Sequence, residues 1–409
     1  MRNFANLFLI LFLADGGFSL VDELVPLLTP LMPFTGLRLL LAGNVIVMAA
    51  IIYFCLGIDS RLPKKLFIPL IFFAIFFPLT VWFFPVLEGL PALGLIGALL
   101  QLLLGMLPLY YFRKGDDRSL IMPPELFSGS YFKLKNSLIF FGVNLVIVPF
   151  LLIVFSMSTV DAYMAEYTSG FMHINPGGLR MSERTYTQGG KSVRLAAMIH
   201  IADKEYYDSL TSSLSTGRAI VLAEGVSDTG KLLGNSIDYG KIASYLGLQS
   251  QHDMNFGGRL INPDDLESVK SPLVKSEAGK KSFSLDILRA DVDAADFRPS
   301  TILILNSLGK KLQGSPSFLD AFTALNRWGE KNITPEMSEI LMDDILYKRN
   351  IKVIGYLDRA LLNYDTVVIP WGALHMKEIE AEVLKRGFKL QNERVRVSID
   401  FGKMLMTML

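Results

Sequence analysis

Four stretches of this chain, Leu39 to Ile58, Leu66 to Leu87, Ala92 to Phe112 and Ser137 to Met157, run without a single charged side chain. A helix of about 20 apolar residues crosses a hydrocarbon core of roughly 30 Å, and inside that core every backbone polar group must be satisfied within the segment itself. Such stretches restrict the first third of the chain to membrane-spanning helices. Phe4 to Leu20 is a fifth candidate, interrupted by Asp15 and by Gly16-Gly17. A cleaved signal peptide competes with it, because Met1-Arg-Asn makes a short positive n-region and Leu7 to Ala14 an h-region. No small-x-small cleavage site follows, which favours a retained helix. Trp82, Tyr110 and Tyr111 lie near span ends, where amphipathic rings sit at the interface.

Lysines and arginines in the short loops set the orientation. Arg61, Lys64 and Lys65 follow the second span; Arg113, Lys114, Arg118, Lys133 and Lys135 follow the fourth. These loops are expected in the cytoplasm. The alternate loops, Val21 to Leu37 and Glu88 to Pro91, carry only acids, with Arg38 at a span edge. The expectation is a multi-pass protein of the inner (plasma) membrane, amino terminus cytoplasmic and everything beyond Met157 periplasmic or extracellular. Four spans behind a cleaved signal give the same side for the large domain.

The formal charge of +1 averages over two unlike parts and says little about partners. No basic stripe interleaved with aromatics points to nucleic acid. The single cysteine, Cys55, lies within the second span, so the large domain has neither a disulfide nor a thiolate for cysteine-hydrolase or zinc-thiolate chemistry.

The expected organisation is a membrane region over 1–157, a lead-in over 158–192 and an α/β domain over 193–409. Thr168 to Gln188, rich in Gly, Ser and Thr around Asn175-Pro176-Gly177-Gly178, reads as irregular. Val193 to Ile201 reads as a strand, Asp203 as the N-cap of a helix to about Leu214, and Ala219 to Ala223 as a second strand. Helices are expected over Lys231 to Leu246, Ser317 to Trp328, Glu336 to Leu362 and Met376 to Arg386. Thr366 to Pro370 reads as a buried strand, and a final strand pair contains Arg394 to Phe401. Strands alternating with helices indicate α/β, where ligands sit at strand carboxyl ends.

Three residues fall at such ends: His200 after Ala197-Met-Ile, Glu224 after Ile220-Val-Leu-Ala223, and His375 in Gly372-Ala-Leu-His375. A partly desolvated Glu224 needs a cation, and Arg349 can supply it; pairing of Arg349 with Asp343 or Asp344 on a helix surface is the plainer alternative. His173 and His252 stand in polar, loop-like sequence and read as structural. Gly225-Val-Ser-Asp-Thr-Gly230-Lys231 nearly spells a phosphate loop, but Leu232 stands where Ser or Thr must hold magnesium, so no nucleotide is expected. Asp291, Asp293 and Asp296 form an acidic run without calcium-loop spacing and read as a solvated turn.

Leu195-Ala-Ala-Met-Ile-His-Ile-Ala202, Tyr206-Tyr207, Val221-Leu-Ala-Glu-Gly225, Arg349-Asn350 and Val367-Val-Ile-Pro-Trp-Gly-Ala-Leu-His375, in this order, resemble the landmarks of the TraB/Tiki group, which is related to the ChaN and erythromycin-esterase-like proteins. The resemblance spans roughly Val193 to Phe388. The second G-x-x-H motif is complete at Gly372 and His375; the first has Ala197 in place of glycine. The resemblance covers none of the membrane region; joined to the spans read above, it implies a multi-span α-helical membrane region followed by an extracytoplasmic α/β domain of the erythromycin-esterase, ChaN and Tiki type. It implies a hydrolase with His200, Glu224, Arg349 and His375 as its site.

The Tiki branch consists of membrane-tethered metal-dependent peptidases, which implies a peptide or protein substrate presented at a lipid bilayer. It also implies a divalent ion (manganese, cobalt or zinc) on His200, Glu224 and His375, with Arg349 stabilising an oxyanion. The esterase-like relatives use histidine and glutamate on water without a metal. The alternative is a non-catalytic member that sequesters a peptide signal or haem. A transporter is disfavoured, because the four firm spans hold only Asn44, Gln101 and Asn144 as strongly polar groups.

Overall fold

The protein is described from a computed structural model, which covers every residue except 28–33, 88, 91, 112–120, 214–218, 235–238, 252–253, 255, 267–272, 276–280, 284, 316–317 and 409. It divides into two compact units, Met1–Ser156 and Met157–Leu409.

Five helices are long and apolar enough to cross a membrane: Arg2–Leu24 (α1), Thr35–Ile58 (α2), Lys64–Phe83 (α3), Leu93–Tyr111 (α4) and Leu134–Tyr167 (α5). Asp15 and the Gly16-Gly17 pair do not interrupt α1. Ala5, Phe8, Leu9 and Phe12 repeat at helical spacing and bury that face among Val45, Ala49 and Ile52 of α2 and Phe67, Leu70 and Ile71 of α3. Glycines let α1 approach α4 closely: a Cβ on Gly105 would lie 2.6 Å from Leu13 Cδ2. On α5 the outward Leu138, Phe141, Leu145, Val146, Leu152 and Ile153 are all exposed, an apolar surface suited to lipid rather than water. The helix runs on through Asp161 and Glu166 to Tyr167, ten residues beyond the expected end of its span. Ser169 (φ +55°) and Gly170 (φ +75°) then turn left-handed, and the Gly170 N–H donates to Ala165 O at 2.7 Å.

The second unit is built on a mixed sheet of strands Met172–Asn175 (β1), Gly178–Gln188 (β2), Lys191–Met198 (β3), Ala219–Ala223 (β4), Arg259–Leu260 (β5), Asp286–Arg289 (β6), Thr366–Gly372 (β7) and Lys389–Asp400 (β8). The spatial order is β1-β2-β3-β7-β4-β6-β5, with β8 along β2. From β3 to β5 all pairings are parallel; β1, β2 and β8 are antiparallel. The run Val367, Val368, Ile369 is fully buried, as a strand covered on both faces requires. Helices Lys204–Ser212 (α6), Tyr239–Tyr245 (α7), Pro299–Gly314 (α8), Phe318–Asn332 (α9), Pro335–Met342 (α10), Lys348–Asn363 (α11), Ala373–Lys385 (α12) and Phe401–Met408 (α13) complete it. The core joins Val193, Leu195, Ile220, Leu222, Val367, Ile369 and Trp371 of the sheet to Val353 and Leu357 of α11 and Met376 and Ile379 of α12.

Several elements differ from expectation. The Gly, Ser and Thr-rich segment is not irregular: it forms the β1-β2 hairpin, closed by Pro176-Gly177 and held by β8. His173 lies on β1, with Asp161 Oδ1 at 3.1 Å. The helix expected over Lys231 to Leu246 is reduced to α7 among the described residues. The closing strand pair is one long strand followed by α13. Asp203 stands at the N-cap of α6 without a side-chain capping bond; its Oδ2 accepts from the Asp400 N–H at 2.8 Å instead. Strand β6 carried no recognisable signal, because it is only four residues long and bears charges at both ends.

Candidate active site

Adjacent parallel strands β3, β7, β4 and β6 end side by side, and residues past the carboxyl ends of β7, β4 and β6 meet Arg349 from the first turn of α11. Glu224 follows β4, Asp291 follows β6, and His375 sits in the first turn of α12 after β7. Chains ending this way on neighbouring strands converge on one crevice.

Arg349 is the hub. Its Nε and Nη2 reach the two oxygens of Asp291 at 2.9 and 2.7 Å, a bidentate clamp. Nη2 also reaches Glu224 Oε1 at 2.8 Å, and Nη1 lies 3.4 Å from His375 Nε2. The side chains of Asp291 and Glu224 are 0% and 4% exposed, so the guanidinium is their counter-charge rather than a surface ornament. Burial opposes charge on Arg349, but its hydrogen bonds to Asp291 and the charge of Glu224 outweigh it and hold the guanidinium firmly protonated.

Backbone amides complete the clamp. Gly372 N–H, at the amino end of α12, donates to Glu224 Oε2 at 2.7 Å, the favoured place for an anion. Gly225 takes φ +151°, which L side chains rarely adopt, and turns its N–H onto Asp291 Oδ2 at 2.8 Å. A five-residue π-helical turn, Asp343–Tyr347, precedes α11, and its buried Asp344 is held by Arg298, Thr301 and Lys348. Such turns reset the phase of a helix, and this one lies immediately before the residue that aims Arg349 into the crevice.

The tautomer of His375 follows from its neighbours. Glu378 Oε2 accepts from Asn350 Nδ2 at 2.6 Å, so the amide oxygen of Asn350 must face His375 Nδ1, 2.7 Å away. Nδ1 therefore carries the proton and Nε2 presents its lone pair to Arg349 Nη1 and the crevice. The indole of Trp371, anchored to Leu222 O at 2.8 Å, packs edge-on against the imidazole with centroids 5.1 Å apart. Burial above all, with the Arg349 charge assisting and Glu224 opposing, lowers the His375 pKa to about 4.

That shift predicts an acid-sensitive fold. Between pH 6.5 and 4 the unfolded chain binds a proton at His375 while the folded chain does not, so stability falls on acidification across this window and is unaffected above it. The full loss is about 3 kcal/mol, from about 2.5 pH units at 1.36 kcal/mol each. Denaturation of the full chain in detergent at pH 7 and pH 4.5, beside His375→Asn, measures it; equal pH slopes in the two proteins would sink the assignment.

His200 lies at the end of β3 on the same rim. Its ring stacks on Tyr239 with centroids 4.4 Å apart, and its Nδ1 meets Gln251 Oε1 at 2.8 Å, leaving Nε2 for the crevice. It is near enough to His375 to disfavour a second positive charge there. Tyr239, which feels both Glu224 and Arg349, has its phenol pKa raised by burial.

The two histidines have the tautomer a metal ligand needs, with Nδ1 tied to an amide oxygen. The third expected ligand has other partners: both oxygens of Glu224 are engaged by Arg349 and Gly372, and a guanidinium faces His375 Nε2. An ion on His200, Glu224 and His375 would have to displace Arg349 from these atoms, so the chemistry is derived below from the chain's own groups.

All four expected residues surround one crevice, and Arg349 turns to Asp291 and Glu224 rather than to Asp343 or Asp344. Asp291, read as part of a solvated turn, is a fully buried member of the site. The sequence holds only a trace of it: Ile287-Leu-Arg-Ala-Asp291 repeats the strand-then-acid order of Ile220-Val-Leu-Ala-Glu224, but the apolar run is broken by Arg289 and does not stand out. Gln251 and Glu378 had no such signal. His173 lies elsewhere, and His252 falls outside the described residues. Comparisons with protein-family profiles, with curated proteins and with solved structures find no match for this chain.

Proposed function

We propose that this chain is a membrane-anchored hydrolase of the TraB/Tiki type, whose α/β unit stands outside the cytoplasm and cleaves a peptide or protein substrate. One observation carries the reading: a neutral His375, its Nε2 lone pair fixed by the Glu378-Asn350 relay, beside the buried charge of Arg349. A base held neutral near pH 7 next to a fixed cation suits hydrolysis of a carbonyl, the base acting on water and the cation on the developing oxyanion.

His375 Nε2 takes a proton from water as its oxygen attacks the carbonyl carbon. The imidazolium so formed meets Glu224 Oε1, 3.7 Å from Nε2, which stabilises it. Arg349 offsets the charge developing on the carbonyl oxygen. The proton then passes to the leaving amine as the carbon–nitrogen bond breaks. His200 and Tyr239 line the rim where substrate enters. The basic loops after the second and fourth spans support the orientation, and the outward apolar face of α5 supports the bilayer.

The test is the full chain in detergent, incubated with a mixed peptide library, beside a His200→Ala/His375→Ala variant. Cleavage that the variant lacks is expected. Chelator treatment is expected to leave that cleavage within about twofold, because Arg349 already supplies the positive charge. Cleavage that appears only on adding manganese, cobalt or zinc would replace this chemistry with a metal-assisted one. A folded protein that cleaves nothing would turn the assignment to sequestration of a peptide signal or haem.

A further inference from the structure

The helical unit encloses a cavity of ≈ 330 Å³ lined from α1, α2, α3 and α4. At its mouth Arg38 is paired with Asp22 at 3.5 Å and with Glu23 at 3.7 Å. Asp15 lies seven residues back along α1 from Asp22, about 10 Å deeper at 1.5 Å per residue. Between these two levels the walls are mainly apolar, with Leu39, Ala42, Val45 and Phe73 among them, and Ser19 of α1 adds one hydroxyl.

Asp15 is 7% exposed and lines this cavity. Its Oδ2 accepts from Gln101 Nε2 at 2.8 Å, whereas its Oδ1 has no hydrogen-bond partner among the described residues. A buried carboxylate oxygen without a donor is costly, so an occupant that donates to it is favoured. Among the described lining residues the one cation, Arg38, is spent on Asp22 and Glu23. The acids outnumber it here, which favours a cationic donor over a neutral one. A bare ion would fill little of the space, since one water in the liquid occupies only about 30 Å³. The volume matches the lower end of small-molecule sites, about 300 Å³.

We propose that this cavity binds a small primary amine, its ammonium donating to Asp15 Oδ1 and its apolar body lying along the shaft toward Arg38. An ionisable side chain within a spanning helix marks such a site more often than a structural one. The site is independent of the hydrolase reading, because every residue in it belongs to the first unit.

The experiment is equilibrium binding of n-hexylamine to the full chain in detergent, beside n-hexanol and hexanoate. One saturable amine site per chain is expected, with hexanol at least tenfold weaker and hexanoate not bound. Asp15→Asn should weaken the amine at least tenfold. Ala42→Phe, which fills the shaft without touching Asp15, should abolish binding. Amine that only partitions without saturating, hexanol or hexanoate that matches it, or an Ala42→Phe protein that binds unchanged would each overturn the proposal. The ligand series on the unaltered chain decides the matter even where Asp15→Asn fails to fold.

Discussion

Arg349→Ala is expected to cost the α/β unit about 3–5 kcal/mol of stability, the range for removing one partner of a buried ion pair and leaving the other uncompensated. The size follows from what remains. Asp291, with no exposed side-chain surface, and Glu224, with 4%, would face each other without the guanidinium that bridges them. Their remaining hydrogen bonds, from Gly225 and Val292 to Asp291 and from Gly372 to Glu224, come from backbone amides and carry no full charge. Arg349→Lys should recover only part of the loss, because an ammonium cannot span both oxygens of Asp291 and Glu224 Oε1 together. Denaturant unfolding of the full chain in detergent measures both variants. A loss below about 1 kcal/mol for Arg349→Ala would mean that water already compensates these carboxylates, and the buried clamp would have to be abandoned. Asp291→Asn combined with Arg349→Ala should be less harmful than the two losses added, since the removed charges belong to one pair.

The second large effect concerns turnover. With a peptide substrate in hand, His375→Ala is expected to lower kcat by about 10²- to 10⁴-fold, the usual contribution of a positioned general base, with KM changing little. Asn350→Leu tests the relay separately. It leaves the imidazole in place but removes the acceptor that holds the proton on Nδ1, so the ring loses its fixed tautomer. The expected loss is smaller, and the acid limb of the kcat profile should move while the fold is kept. Equal kcat for His375→Ala and the unaltered protein would remove this residue from the chemistry.

The helical unit was legible because hydrocarbon imposes one simple demand, a long apolar run with an internally bonded backbone, and composition alone records it. The same logic misjudged the ends of α1 and α5, because α1 holds Asp15, Gly16 and Gly17 and α5 continues through Asp161 past the apolar run. Strands β3, β4 and β7 announced themselves as short apolar runs, and with them His200, Glu224 and His375. Strand β6 did not, and Asp291 was lost with it. An acidic cluster in an unplaced segment looks like a solvated turn, because nothing in Ala290-Asp-Val-Asp-Ala-Ala-Asp296 says which carboxylate points inward. The β1-β2 hairpin was hidden for the opposite reason: glycine, serine and threonine read as loop, yet β8, more than 200 residues later, supplies the partner that makes β2 a strand.

What the sequence determined by itself is therefore local: which segments suit a bilayer, which runs are buried strands, and which polar residues stand at their carboxyl ends. Tertiary structure alone decided that β7 inserts between β3 and β4, which brings residues 200, 224 and 375 to one rim. It alone turned Arg349 inward to Asp291 and set the proton of His375 on Nδ1. The physical reason is that propensity and hydrophobic period act over a few residues. Compensation of a buried charge is different, because it depends on whichever distant side chain the packing brings within about 3 Å, and no neighbour in the chain records that distance.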